Sequence, residues 1–233
     1  MPEQLPVQFE FQSNQSFSTF YPGNNEEIVN HLQQIFINNE QQIFLWGERG
    51  SGKTHLLQSL TQTSNTCNKT SFYYSLDTDD FPDPGMLEGL ENFDLVCFDN
   101  IEHIAGKTEW EQAFFNFYNL LRDANNKLVV TASCPPKYLA IQLPDLKTRM
   151  NWGLTLKLKA LSDEQQLNAL IYKAHDLGFE IPIKVGRFLI THYARDLPSI
   201  WALLDKIEQA TLAAKRKLTI PFLKQIMAEQ EEQ

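Results

Sequence analysis

The sequence predicts an α/β protein, a parallel sheet flanked by helices and followed by a smaller all-helical bundle. Three observations carry this expectation. Short, near-continuous apolar runs alternate with helical patterns, as parallel strands covered on both faces require. A glycine-rich stretch, "GERGSGKT" at 47–54, falls between the first such run and the first helix behind it. From Ser162 the pattern becomes wholly helical and the charge balance changes: residues 1–160 hold 11 Lys and Arg against 19 Asp and Glu, residues 161–233 hold 9 against 10. The boundaries expected are a flexible tail at 1–15, an α/β core at 16–160 and a helical lid at 161–233.

The elements follow in order. Residues 1–15 are Gln-rich and lack helical periodicity. After "YPGNN", Ile28, Leu32, Ile35 and Phe36 recur at helical spacing, with Asn24 or Asn25 as cap. Strands are expected at 42–46, 71–76, 93–98, 127–132 and 154–158, with helices near 53–63, 86–91, 107–124 and 136–142 between them. In the lid, "SDEQ" forms a capping box of Ser162 with Gln165, and Gly178 ends that helix. Helices near 183–193, 199–214 and 221–230 complete the bundle.

Composition excludes several classes of function. A net charge of -9 over 233 residues is the wrong sign for a chain whose main task is gripping phosphate backbones. No apolar run reaches membrane-span length, and the start has no basic region of a secretory signal, so a cytoplasmic protein is expected. Cys67, Cys97 and Cys134 are odd in number and have no metal-ligand spacing, which fits buried thiols in a reducing compartment. The four acids of "DTDDFPD" at 77–83 read as a solvated loop, and Trp110, Phe114, Phe115, Phe117 and Tyr118 as core.

Chemistry concentrates in the glycine-rich loop, which fits G-x-x-x-x-G-K-[ST] in full. Gly47, Gly50 and Gly52 let backbone N–H groups of the loop, Ser51 included, wrap phosphates, and the following helix N-terminus, with His55 in its first turn, adds a positive dipole end. Lys53 would reach the β- and γ-phosphates of ATP or ADP, and the Thr54 hydroxyl would hold Mg²⁺. A second metal-side group is expected at the tip of a buried strand beside the phosphate strand. Asp99, after "LVCF", takes that place.

These two motifs, the α/β core and the helical lid resemble the AAA+ nucleotide-binding superfamily, which implies a RecA-like parallel sheet. More closely, "FSTFYPGNN" (17–25), "LPDLKTRMNWG" (143–153) and "RKLTIPFLKQI" (216–226) are similar to the DnaA family, in the short regulatory form known as the Hda type. The resemblance implies that Arg149 is an arginine finger, reaching a neighbouring subunit's nucleotide. It also implies that "QLPVQF" (4–9) docks on the polymerase III β sliding clamp, with Gln4 at a polar pocket and Leu5, Val7 and Phe9 in an apolar groove. The implied partners are DnaA and the clamp, with DNA reached indirectly through it and a homo-oligomer possible.

The chain departs from the family's pattern at three places. Asn100 stands in the Walker B position of the water-activating acid, and an amide is no general base at neutral pH. Glu102 is close in sequence but is expected to point away from the phosphate strand. Ser133 stands at the first sensor position, and at the lid's sensor position Pro198 replaces an Arg, with Arg195 one helical turn early. Little hydrolysis by the chain itself is therefore expected, and the resemblance implies an activator of DnaA's ATPase. Two rivals are a helicase-loader-type ATPase using Glu102 as base and a DNA-binding initiator-like module. The acidic charge, and the lack of room for an added helix-turn-helix, argue against the latter.

Overall fold

The computed structural model describes residues 15–192, 197–214 and 216–231. Helix α1 (Glu26–Gln33) leads into strand β1 (Gln42–Trp46), the phosphate loop and helix α2 (Lys53–Thr66). Then come β2 (Ser71–Ser75), β3 (Leu95–Asp99), α3 (Thr108–Asp123), β4 (Lys127–Ala132), α4 (Pro144–Met150) and β5 (Leu154–Lys157). The lid is α5 (Asp163–Asp176), α6 (Ile183–His192), α7 (Leu197–Ala214) and α8 (Ile220–Glu231). No helix among the described residues is long and apolar enough to cross a membrane.

All five strands are parallel, in the order β2-β3-β4-β1-β5. Their apolar residues alternate between two cores, which is why the runs read as near-continuous. Phe44, Val96, Phe98 and Val130 face α3, where Phe98 meets Phe114 edge to face at 5.4 Å. Ile43, Leu45, Leu95, Cys97 and Val129 face α1 and α2. The lid has its own core of Leu170, Val185, Leu189, Leu204, Ile207 and Leu223.

Cys67, expected as a buried thiol, is exposed at the end of α2, and local chemistry departs from the sequence reading in four further places. The helix expected at 86–91 is two 3₁₀ turns, Pro84–Leu87 and Leu90–Asn92, because Gly89 between them is left-handed at φ 84°. The helix expected at 136–142 is a 3₁₀ turn, Pro136–Tyr138. Asn25 occupies the cap position of α1, yet its side chain caps nothing. It instead donates to the Lys159 carbonyl at 3.0 Å and accepts from the Lys159 N–H at 2.8 Å, tying the start of the core to its end. Lastly, β4 lies between β1 and β3, so the strand that ends in Asp99 is one place removed from the phosphate strand.

The lid follows Lys159 directly, and its first helix carries the expected capping box. Two further bonds fasten α5 to the N-terminal strap: Gln165 Nε2 to Asn24 Oδ1 at 2.9 Å and the Tyr172 hydroxyl to the Ser18 carbonyl at 2.5 Å.

One buried carboxylate sets the orientation of α4. Glu111, 1% exposed in the first turn of α3, accepts from the backbone N–H of Gly106 at 2.7 Å, Gln142 at 3.0 Å and Leu143 at 2.7 Å. Truncation would leave three partly buried backbone donors without their acceptor, each at a cost of about 1 kcal/mol. Glu111→Ala is therefore expected to lower stability by about 3 kcal/mol, read from urea unfolding, with Glu111→Gln losing less because the amide oxygen still accepts.

Candidate functional site

The phosphate loop closes over the C-terminal end of β1. Gly52 caps α2 at φ 98°, a backbone that side chains rarely adopt, and a Cβ there would lie 2.6 Å from the Phe20 ring. Glycine at this position thus serves both the turn and the approach of the N-terminal strap. Lys53, 8% exposed, donates to the carbonyls of Gly47 at 2.8 Å and Glu48 at 3.0 Å. Burial lowers its pKa, and the charges of Asp99 and Glu102 oppose that shift. The buried Ser51 hydroxyl has no protein partner.

Asp99, at the tip of β3, is 1% exposed and is met by three hydroxyls. Thr54 Oγ1 donates to Oδ2 at 2.6 Å, Thr131 Oγ1 donates to Oδ1, and the Tyr73 hydroxyl reaches Oδ2 at 3.4 Å. Burial and the Asp99 charge push the Tyr73 phenol upward, so it stays a neutral donor. Thr54 and Asp99 are thus already together, the pair a magnesium ion bound to phosphates would need. A buried ammonium on the loop, an unpartnered hydroxyl and this hydroxyl–carboxylate pair fit a magnesium nucleotide.

Sequence reasoning missed Thr131 and Tyr73. The signal for Thr131 was one hydroxyl inside the apolar run "KLVVTA". Because β4 separates β1 from β3, Thr131 bridges them. It also accepts from the Asn100 N–H at 3.0 Å. Asn100 itself is left-handed at φ 60°, a conformation its short amide tolerates.

Glu102 does not point away. Its Oε1 accepts from the Ser133 N–H at 2.9 Å, its charge acts on Lys53, and its Oε2 is buried without a partner. The 3₁₀ turn Ile101–Ile104 folds it back over the strand ends, a path that periodicity cannot reveal. Ser133 is exposed just past β4 and is held through its backbone. Pro198 is the second residue of α7, whereas Arg195 and the clamp-peptide residues Gln4, Leu5, Val7 and Phe9 lie outside the described residues.

Arg149 closes α4 at the other end of the sheet. The preceding helix is held by Glu111, and the Met150 carbonyl accepts from Gln42 Nε2 at 3.4 Å, at the first residue of β1. The phosphate loop leaves the last residue of that strand, so the two lie at opposite edges, roughly 15 Å apart along the strand. Arg149 forms no ion pair with Asp145 or any other carboxylate among the described residues. Its guanidinium lies over the Trp152 ring at 4.0 Å.

His55 turns its side chain to the strap, so only its backbone remains for a phosphate. Nε2–H donates to the Ser16 carbonyl at 2.9 Å, and Phe20 packs edge-on against the ring at 5.3 Å. Burial lowers its pKa, with Lys173 of the lid adding to that and the Ser16 bond opposing it. Because the folded value is depressed, the unfolded chain binds more protons below the ordinary value of 6.5, and stability falls as pH drops toward the folded pKa. The stability difference between wild type and His55→Gln should therefore shrink between about pH 7 and pH 5, measured by urea unfolding.

Comparison with known proteins matches these halves in order. The family of bacterial DnaA ATPase domains matches residues 11–157, and the Hda lid domain matches residues 163–227. Domain III of the replication initiation protein DnaA from Thermotoga maritima is 19% identical with a TM-score of 0.77, over 95% of this chain and 98% of that one. AMPPCP-bound DnaA from Aquifex aeolicus is 16% identical with a TM-score of 0.75, over 96% of this chain and 72% of that one. The RuvB Holliday junction branch migration motor of Thermotoga maritima is 14% identical with a TM-score of 0.65, over 91% of this chain and 73% of that one. At such identities the likeness is one of fold. The family matches go further, and with both halves covered the chain belongs to the bacterial DnaA family of AAA+ proteins, in its Hda-type form.

Proposed function

We propose that this DnaA-related replication regulator switches initiation off by completing the ATP site of DnaA. Docked on the DNA-loaded sliding clamp through residues 4–9, it supplies Arg149 in trans to DnaA's bound ATP and speeds its conversion to ADP. The observation that carries this reading is the position of Arg149. It sits half-buried at the end of the sheet opposite its own phosphate loop, and no carboxylate among the described residues pairs with it. A guanidinium there is out of reach of the chain's own nucleotide and is presented to a neighbour. Against charge developing on a γ-phosphate such a group contributes on the order of 10³–10⁵ in rate.

The chain's own nucleotide has a structural part in this account. Lys53 and the loop N–H groups bind its phosphates, while Thr54 and Asp99 hold its magnesium, which would neutralise phosphate charge. AMPPCP in the Aquifex initiator supports an adenine nucleotide at the corresponding fold position. Asn100 withholds the general base, so ADP or ATP stays bound without efficient turnover.

Glu102 favours a second reading. A buried carboxylate oxygen with no partner, close enough to act on Lys53, could serve as base for hydrolysis by this chain, as in an ATPase of helicase-loader type.

Both readings are tested by mixing the chain with ATP-loaded DnaA and clamp on DNA. Wild type should accelerate hydrolysis, while Arg149→Ala and a form lacking residues 1–9 should leave DnaA near its unaided rate. Stimulation that survives Arg149→Ala overturns the finger. Turnover by the isolated chain that is lost in Glu102→Gln establishes the second reading instead.

A further inference from the structure

A finger must keep its N–H donors for the phosphate it meets, yet its long side chain must be held still to be useful. A carboxylate partner would hold it and consume those donors. Arg149 is held differently. Its guanidinium carbon lies 4.0 Å from the centre of the Trp152 ring and 5.8 Å from that of the Tyr118 ring. Nη1 is buried with no acceptor. The negative face of an indole attracts the cation without accepting a conventional hydrogen bond, so the donors stay uncommitted.

Trp152 is itself pinned. Its backbone N–H donates to the Arg149 carbonyl at 3.1 Å, closing the turn that follows α4. At the next residue, a Cβ on Gly153 would lie 2.5 Å from the Gln42 carbonyl oxygen, so the turn is pressed directly onto β1. Gln42 donates to the Met150 carbonyl and accepts from the Tyr118 hydroxyl at 3.0 Å, which fixes the second ring to the same platform. Trp152 is nevertheless 56% exposed. Its ring carries two cations, Arg149 at 4.0 Å and Arg122 farther off at 5.1 Å, so Arg149 is the nearer of the two.

We propose that Trp152 is a positioning residue for Arg149, holding the guanidinium in place without occupying its N–H donors. This rests on the reading that Arg149 acts in trans. On that reading Trp152 touches no phosphate and acts only through Arg149. Its loss should therefore lower the maximal stimulated rate rather than the concentration needed to reach it.

The experiment titrates the full chain into ATP-loaded DnaA with clamp on DNA and reads plateau rate and half-saturating concentration separately. Trp152→Leu should lower the plateau about tenfold, with half-saturation moving by less than about twofold, and Trp152→Phe should recover most of the plateau. Fluorinated tryptophan placed at residue 152 weakens the ring's negative face at nearly constant shape. The plateau should fall stepwise with each added fluorine, a trend that a packing role would not produce and that does not depend on Trp152→Leu folding. An unchanged plateau in Trp152→Leu, or one indifferent to fluorination, overturns the proposal. So does a shift confined to half-saturation, which would make Trp152 a partner contact. Full stimulation by Arg149→Ala would instead remove the reading beneath it, so the two failures are distinguishable.

Discussion

The buried carboxylate of Asp99 is the constraint on which the site depends. It ends β3 with almost no exposure, and a charge so placed persists only where donors replace the water it has lost. Those donors come from three other elements: Thr54 at the start of α2, Thr131 on β4 and Tyr73 on β2. Satisfying one carboxylate therefore fixes the phosphate loop's helix against the edge of the sheet. The same negative charge helps keep the buried Lys53 protonated on the other side of the loop. Through Thr131 the network also orders Asn100, whose N–H shares that hydroxyl.

This resolves why the chain keeps the metal-side aspartate while lacking an acid beside it. Asp99 is a structural junction, and replacing it would unfasten four elements. The position after it carries no comparable burden. Asn100 needs only to adopt a left-handed backbone and donate its N–H, which an amide does as well as an acid. The fold therefore does not depend on an acid at that position. At the opposite end of β1, the Gln42 platform and Glu111 hold α4, the helix that carries Arg149. The strands thus keep Arg149 at the end of the sheet opposite the phosphate loop.

Much of this was legible in the sequence because it rests on local rules. Five strands covered on both faces leave unbroken apolar runs, and each observed strand lies within a residue or two of its expected range. The phosphate loop is a contiguous motif, and the Ser162 capping box is set by four residues. What escaped depends on long-range placement. Nothing in "KLVVTA" says that β4 will insert between β1 and β3, so Thr131 looked like an ordinary strand residue. Glu102 was misdirected because a 3₁₀ turn reverses the chain after Asn100. Asn25 has the right chemistry for a cap and was drawn instead to the Lys159 backbone, far away in sequence. The role of Trp152 depends on Arg149 having no carboxylate neighbour, and spacing alone cannot show that.

The central claim is that Arg149 completes a nucleotide site on another protein. The most direct measurement is a structure of this chain in complex with DnaA carrying a non-hydrolysable ATP analogue. The Arg149 guanidinium is expected within about 3 Å of the terminal phosphate of DnaA's nucleotide, with this chain's own phosphate loop at the far end of its sheet. A complex in which another side chain meets that phosphate, or in which Arg149 faces solvent away from DnaA, would contradict it.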